Sequence, residues 1–337
     1  MGKMCLDFKK VSKIFAHFKR KKFSVPLIGL AAIIILLYGL EQAGLKIPSL
    51  IEMSLLVMTP LGLAAVGESI NQKAGLINIG LEGIFLISAI IGVYAAVKIG
   101  SGVFGVLIGT LAGAFIGLLF AVICVYGRAN QIVAGMGINI IAIGFVPFFM
   151  LTVWRSWLLT IPQFQISALF YNPIRLQPVT VLAIIAAILA SILLYKTLFG
   201  LRIRAAGEKP EAVDVAGVRV DRIRLFTATL GGALCGLGGA FLALGWFGGI
   251  VKEISAGRGF IALACVVCAG LRPLRALGFA FMFGFAEALA VTIAILYKDI
   301  LPENFIYMIP YIVTLVAVII VGKAMFPQAI GKPYVRE

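Results

Sequence analysis

"KAGLINIGLEGIFLIS", residues 73–88, carries Asn78, Glu82 and three glycines in a stretch otherwise apolar enough to cross a membrane. Ionisable groups at membrane depth cost several kcal/mol unless they face protein or water, so this stretch belongs to a bundle with a partly polar interior. Asn78 and Glu82 are four residues apart and share one face if the segment is helical throughout. Gly75, Gly80 and Gly83 permit irregular backbone or close packing beside them. The expectation is that both polar residues either line a passage or hydrogen-bond to neighbouring helices.

The surrounding sequence makes the membrane reading firm. Of 337 residues, 62% are hydrophobic and 13% charged, and the mean hydropathy is +1.10. Such a chain cannot bury its apolar surface in a water-soluble globule. The first apolar run, "VPLIGLAAIIILLYGL" (25–40), has no convincing cleavage site and reads as a span rather than a secretory signal. Apolar runs of about 17–25 residues predict an all-α polytopic fold of about ten transmembrane helices. They fall at 25–42, 50–67, 75–97, 102–126, 131–152, 178–197, 225–245, 259–271, 275–297 and 306–322. The eighth is short for a crossing, so it is broken or borrows from "LRPLR" (271–275).

The net charge of +15 is explained by topology. The basic residues are scattered among loops with no aromatic-interleaved surface, so no nucleic-acid partner is expected. With the N-terminus cytoplasmic, 22 of the 29 Lys and Arg residues fall on the cytoplasmic side. Cytoplasmic loops retain Lys and Arg, which predicts that both termini face the cytoplasm. The chain divides into a basic arm (1–24), a transmembrane domain (25–322) and a tail (323–337). Within the membrane domain lie an extracytoplasmic segment (153–177), with Trp154 and Trp157 as interfacial anchors, and a cytoplasmic loop (199–225).

Few residues carry chemistry. Glu68, Asn78, Glu82, Asn139 and Glu287 are the candidates for a translocation path. The cysteines read as small hydrophobes, and "CVVC" (265–268) has no nearby histidine to complete a metal site. Gly105, Gly109, Gly113 and Gly117 recur every four residues and predict a thin helix face for close packing. No GxxxxGK[ST] loop is present, so ATP hydrolysis is not expected in this chain.

Two motifs carry a family resemblance. "NQKAGLINIGLEG" (71–83) resembles E-R-[SA]-G-x-x-N-I-G-x-E-G, with Gln72 and Lys73 in place of Glu-Arg. "RAAGEKPEAVDVAGV" (204–218) is similar to R-A-x-G-E-N-P-x-A-A-x-x-x-G-[IV], departing at Lys209 and Val213. A softer match, "NQIVAGMGINIIA" (130–142), puts Asn139 on a span-ending Asn-x-[IL]-A. Together, over about 50–322, they resemble permease subunits of bacterial ABC importers of the ribose, simple-sugar and nucleoside type, and more distantly branched-chain amino acid permeases.

The resemblance implies a type II-like importer permease in the cell membrane, with nucleosides as cargo and ribose-type sugars as the alternative. It implies a second permease chain, an extracytoplasmic substrate-binding protein and a cytoplasmic ATPase that holds ATP and Mg, with no cofactor in this chain. It also implies that Arg204, Gly207, Glu208, Pro210, Ala212 and Gly217 belong to an ATPase-coupling loop. The residues agree locally: Pro210 can start a short helix over 210–216, Glu211 and Asp214 favour its first turn, and Gly217 suits its end. The competing classes are an ion-coupled transporter using Glu82 or Glu287, and an intramembrane enzyme using a carboxylate as base. Neither accounts for the 204–218 loop.

Overall fold

A computed structural model describes residues 47–169, 175–296, 306, 308–321, 326–332 and 334. The expected arm (1–24) and first span (25–42) lie outside the described residues. The architecture is mostly helical. Its helices are α1 (Ile47–Lys73), α2 (Leu81–Ile99), α3 (Gly102–Val125), α4 (Gln131–Trp154) and α5 (Pro178–Lys196), followed by α6 (Leu198–Glu208) and α7 (Pro210–Val215). They continue with α8 (Val220–Phe241), α9 (Arg258–Cys268), α10 (Pro273–Leu296) and α11 (Ile309–Val321). Among the described residues, seven helices are long and apolar enough to cross a membrane: α1 to α5, α8 with its π-helical extension, and α10.

Local chemistry sets many of the ends. Asn130 caps α4, its side-chain oxygen accepting from the Ile132 and Val133 amides at 3.0 and 3.3 Å. Thr197 does the same for α6 through Gly200 N at 3.0 Å. Pro178 and Pro210 open α5 and α7, where the missing N–H costs nothing. The expected short helix in the loop is observed at Pro210–Val215, with Gly217 beyond it at φ +79°.

α2, α3 and α8 form a tightly packed group. The glycines of α3 meet a second glycine run on α8. A Cβ on Gly113 would lie 2.5 Å from both Gly232 O and Gly236 Cα, so backbone touches backbone. Lipid supplies no hydrophobic drive for association, so dispersion across such a seam holds the helices together. The opposite face of α3 exposes Val103, Leu107, Leu111 and Phe115, as a lipid-facing surface does. α10 packs against α5, α9 and α11.

Three features refine or depart from the sequence-based expectation. The span expected at 75–97 begins only at Leu81, after a non-helical break over 74–80. The run at 259–271, expected to be short for a crossing, is α9, an 11-residue helix of about 16 Å, half the thickness of a bilayer core. The segment 153–177 contains β1 (Leu158–Thr160), which pairs antiparallel with β2 (Gly249–Val251), Leu159 opposite Ile250. Trp157 is exposed, with the Lys252 ammonium 6.0 Å from its ring centroid. Trp154 packs edge-on to Phe149.

Candidate functional site

The break between α1 and α2 collects most of the polar residues of the opening motif. Unwound backbone buried in the protein leaves N–H and C=O groups that must find partners there. Side chains provide them here. Glu68 Oε1 accepts from the Asn78 amide at 2.9 Å and from Gln72 Nε2 at 3.0 Å, while its Oε2 accepts from Asn71 Nδ2 at 3.1 Å. Asn78 Oδ1 accepts from Gly80 N at 2.8 Å, and Gln131 Oε1 from Ile77 N at 2.7 Å. Asn139, reaching across from α4, accepts from Gly83 N at 2.8 Å and donates to Ile79 O at 3.1 Å.

Glu68, Asn78 and Asn139 are therefore brought together, each bonded to the backbone of the 77–83 segment. Asn78 and Glu82 do not share a helix face, because Asn78 precedes α2. Gly75, at φ +88°, starts the departure in a conformation that L side chains rarely adopt.

Glu82 points elsewhere. It is buried in the first turn of α2, and its carboxyl group closes the N-terminus of α9. Oε1 accepts from Ser255 Oγ at 2.5 Å and Gly257 N at 2.8 Å; Oε2 accepts from Gly259 N at 2.7 Å. Those amides are among the orphan donors of a helix start, where the helix dipole also favours an acidic group. Gly259 is required for this approach: a Cβ there would sit 2.7 Å from Glu82 Cα.

Beside this cap lies a pair that the sequence does not announce. Arg258, the first residue of α9, forms a salt bridge through Nη2 with Glu287 Oε1 on α10. The arginine is 8% exposed, and its guanidinium carbon stands 4.7 Å from the centre of the Trp246 ring. Trp246 and Phe247 belong to a π-helical turn, Leu242–Phe247, that ends α8. Such turns often mark functional positions.

A cavity of about 450 Å³ opens against this pair, walled by Trp246, Phe247, Arg258, Glu287, Pro310 and Tyr311. Of the five path candidates, only Glu287 lines it. Arg258 looks like an ordinary loop cation in the sequence. The signal that marks it is its place at the head of an apolar run too short to cross.

The coupling-loop residues divide between surface and interior. Glu208, Ala212 and Gly217 are exposed, Arg204 is half-buried with its guanidinium 5.4 Å from the centre of the Tyr195 ring, and Gly207 and Pro210 are buried. Gly207 lies directly against the carbonyl of Lys73, with no room for a side chain. The C-terminal segment joins the two: Ala329 N donates to Gly207 O at 2.9 Å and Gly331 N to Gly75 O at 3.1 Å. Arg224, buried, fastens the assembly by donating from Nε to Ala74 O at 3.3 Å and from Nη1 to Lys332 O at 3.2 Å.

Comparison with known proteins accords with this architecture. The family described as branched-chain amino acid transport system / permease component matches residues 50–318. The chain is 32% identical over 310 residues to the guanosine ABC transporter permease protein NupQ of Bacillus subtilis, covering 85% of this chain and 96% of that one. It is 33% identical over 307 residues to the nucleoside ABC transporter permease protein NupC of Lactococcus lactis, covering 84% and 95%. A third relative, the putative glucose ABC transporter permease protein TsgC13 of Haloferax volcanii, is 32% identical over 241 residues, covering 68% of this chain and 73% of that one. No solved structure matches significantly. With most of its length matched, the chain belongs to the family of branched-chain amino acid transport system permease components, as an integral multi-pass membrane subunit rather than an enzyme.

Proposed function

We propose that this chain is the translocating subunit of an ATP-driven importer of nucleosides. The observation that carries the reading is the likeness, along more than four fifths of the chain, to two permeases named for guanosine and nucleosides. The putative glucose permease is as similar in identity but over a shorter stretch, 68% of this chain against 84–85%, which puts sugars second. Ten crossings with both termini cytoplasmic, as in a type II-like importer permease, fit the distribution of Lys and Arg.

The partners follow from this reading: a second permease chain, an extracytoplasmic substrate-binding protein, and an ATPase that brings ATP and Mg. The ATPase would dock on α6 and α7. Val215 there is 91% exposed, and a groove of about 500 Å³ lined by Leu201, Ala205, Glu208, Lys209 and Val213 lies alongside. An exposed valine beside an apolar groove suits a socket in a partner. From that surface, motion would reach the membrane through Gly207, which rests on the α1–α2 break.

Uptake by the complete transporter in vesicles tests the reading. Guanosine import that needs ATP and the separate ATPase supports it. Import of ribose without any nucleoside, or import driven by an ion gradient with this chain alone, overturns it.

A further inference from the structure

The cavity at the π-helical turn has the chemistry of a binding site. Its volume of about 450 Å³ falls in the range of small-molecule pockets, and its walls follow their usual composition, largely apolar with a few convergent polar groups. Met53, Ile261, Val291 and Pro310 supply the apolar part.

The aromatic rings are not equivalent. Trp246 is covered by the guanidinium of Arg258 and by Phe247, whose ring stacks on it at 4.9 Å and 17°. Phe247 and Tyr311 are 50% and 53% exposed, so these two rings have free surface for a ligand.

The polar groups are also unequal. Arg258 spends Nη2 on Glu287 Oε1, and Nη1 lies 3.4 Å from the carbonyls of Ile254 and Ser255. Its Nε has no hydrogen-bond partner among the described residues. Glu287 keeps Oε2 free of any described partner, beside the cavity it lines. The arginine thereby fixes a carboxyl group that still has acceptor capacity. A built site of this kind, with a nine-tenths-buried cation holding an acid in place, is more than an apolar gap between helices.

The geometry points to a nucleoside-binding stop on the translocation route, in which Phe247 and Tyr311 take the base and Glu287 Oε2 accepts a sugar hydroxyl. This rests on the nucleoside reading given above. Flat, weakly hydrated bases stack on aromatic side chains whatever their identity. A hydroxylated sugar meets an acceptor held by a charge-assisted pair. A sugar alone would leave most of the apolar wall unused.

The test uses the complete transporter in vesicles, supplied with tritiated guanosine. Phe247→Ala and Tyr311→Ala remove ring surface without leaving a buried charge unpaired, and each should raise the KM for guanosine by about five- to a hundredfold, the effect expected of one lost base–aromatic stack. Glu287→Gln should lower guanosine uptake while free guanine competes as well as before. Monodisperse elution of each variant establishes that it folds. Wild-type KM and maximal rate for guanosine in both ring variants would overturn the site while leaving the nucleoside importer standing. A wild-type transporter that carries ribose and no nucleoside would instead remove the reading on which the site rests.

Discussion

Glu82 Oε2 accepts a hydrogen bond from the Gly259 amide at 2.7 Å, joining the first turn of α2 to the first turn of a helix 177 residues further on. This bond fixes where the half-length helix α9 begins, and with it where Arg258 stands. Glu82, a translocation-path candidate in the sequence, therefore caps α9 and helps position Arg258 beside the cavity.

Glu82→Gln should consequently weaken the fold as well as transport. Glutamine retains one acceptor oxygen where three donors converge, and its amide N–H groups would face other donors. The expected loss is about 1–3 kcal/mol, read as a lower melting temperature in detergent. Abolished uptake with an unchanged melting temperature would instead favour direct contact with cargo.

Gly207→Ala and Glu208→Lys separate packing from docking within one motif. An alanine methyl at 207 collides with the carbonyl of Lys73, which cannot give way as a flexible side chain would. A cost of about 1–3 kcal/mol and poor yield of folded protein are expected. Glu208 is exposed, its Oε2 3.3 Å from Gln328 N, so Glu208→Lys should fold normally and lower substrate-stimulated ATP hydrolysis. Equal thermal stability of the two variants would count against this division.

Gly113→Ala on α3 and Gly144→Ala on α4 should differ in their effect on stability. A Cβ on Gly113 meets the α8 backbone at 2.5 Å, whereas one on Gly144 meets nothing within 4 Å. The first should destabilise the α3–α8 seam. The second should be neutral or gain up to about 1 kcal/mol from helix propensity. Thermal unfolding of both in detergent checks the contrast.

Arg224→Met should loosen the C-terminal segment. It removes the donors to Ala74 O and Lys332 O while keeping much of the side-chain bulk. Faster amide exchange over 326–332, with a stability loss of about 1–3 kcal/mol, is expected. Exchange at the wild-type rate would show that the segment is held by its other contacts.

The readable parts of this protein are those in which local pattern and structure coincide. Long apolar runs placed α3, α4 and α5 within a few residues of their observed ends, and Pro210 with Gly217 marked α7. The glycines at 75 and 80 allowed irregular backbone, but the extent of the α1–α2 break, 74–80, was not legible. Its residues are mostly apolar or small, and the side chains that make unwinding tolerable include the distant Gln131 and Asn139 beside Glu68 and Asn78. The β1–β2 ribbon has three residues a side and joins segments some 90 positions apart, so neither strand carries a usable alternation of its own.

By itself the sequence determined the membrane class, most helix positions and the family motifs. Those properties depend on composition and short-range spacing. The tertiary structure alone decided what the polar residues touch. Asn78 and Asn139 serve the backbone of the break, Glu82 caps α9, and Arg258 leaves the apparent loop to pair with Glu287. Buried polar groups must find partners wherever the packed chain supplies them, and here the partners lie up to 177 residues away, beyond the reach of any local pattern.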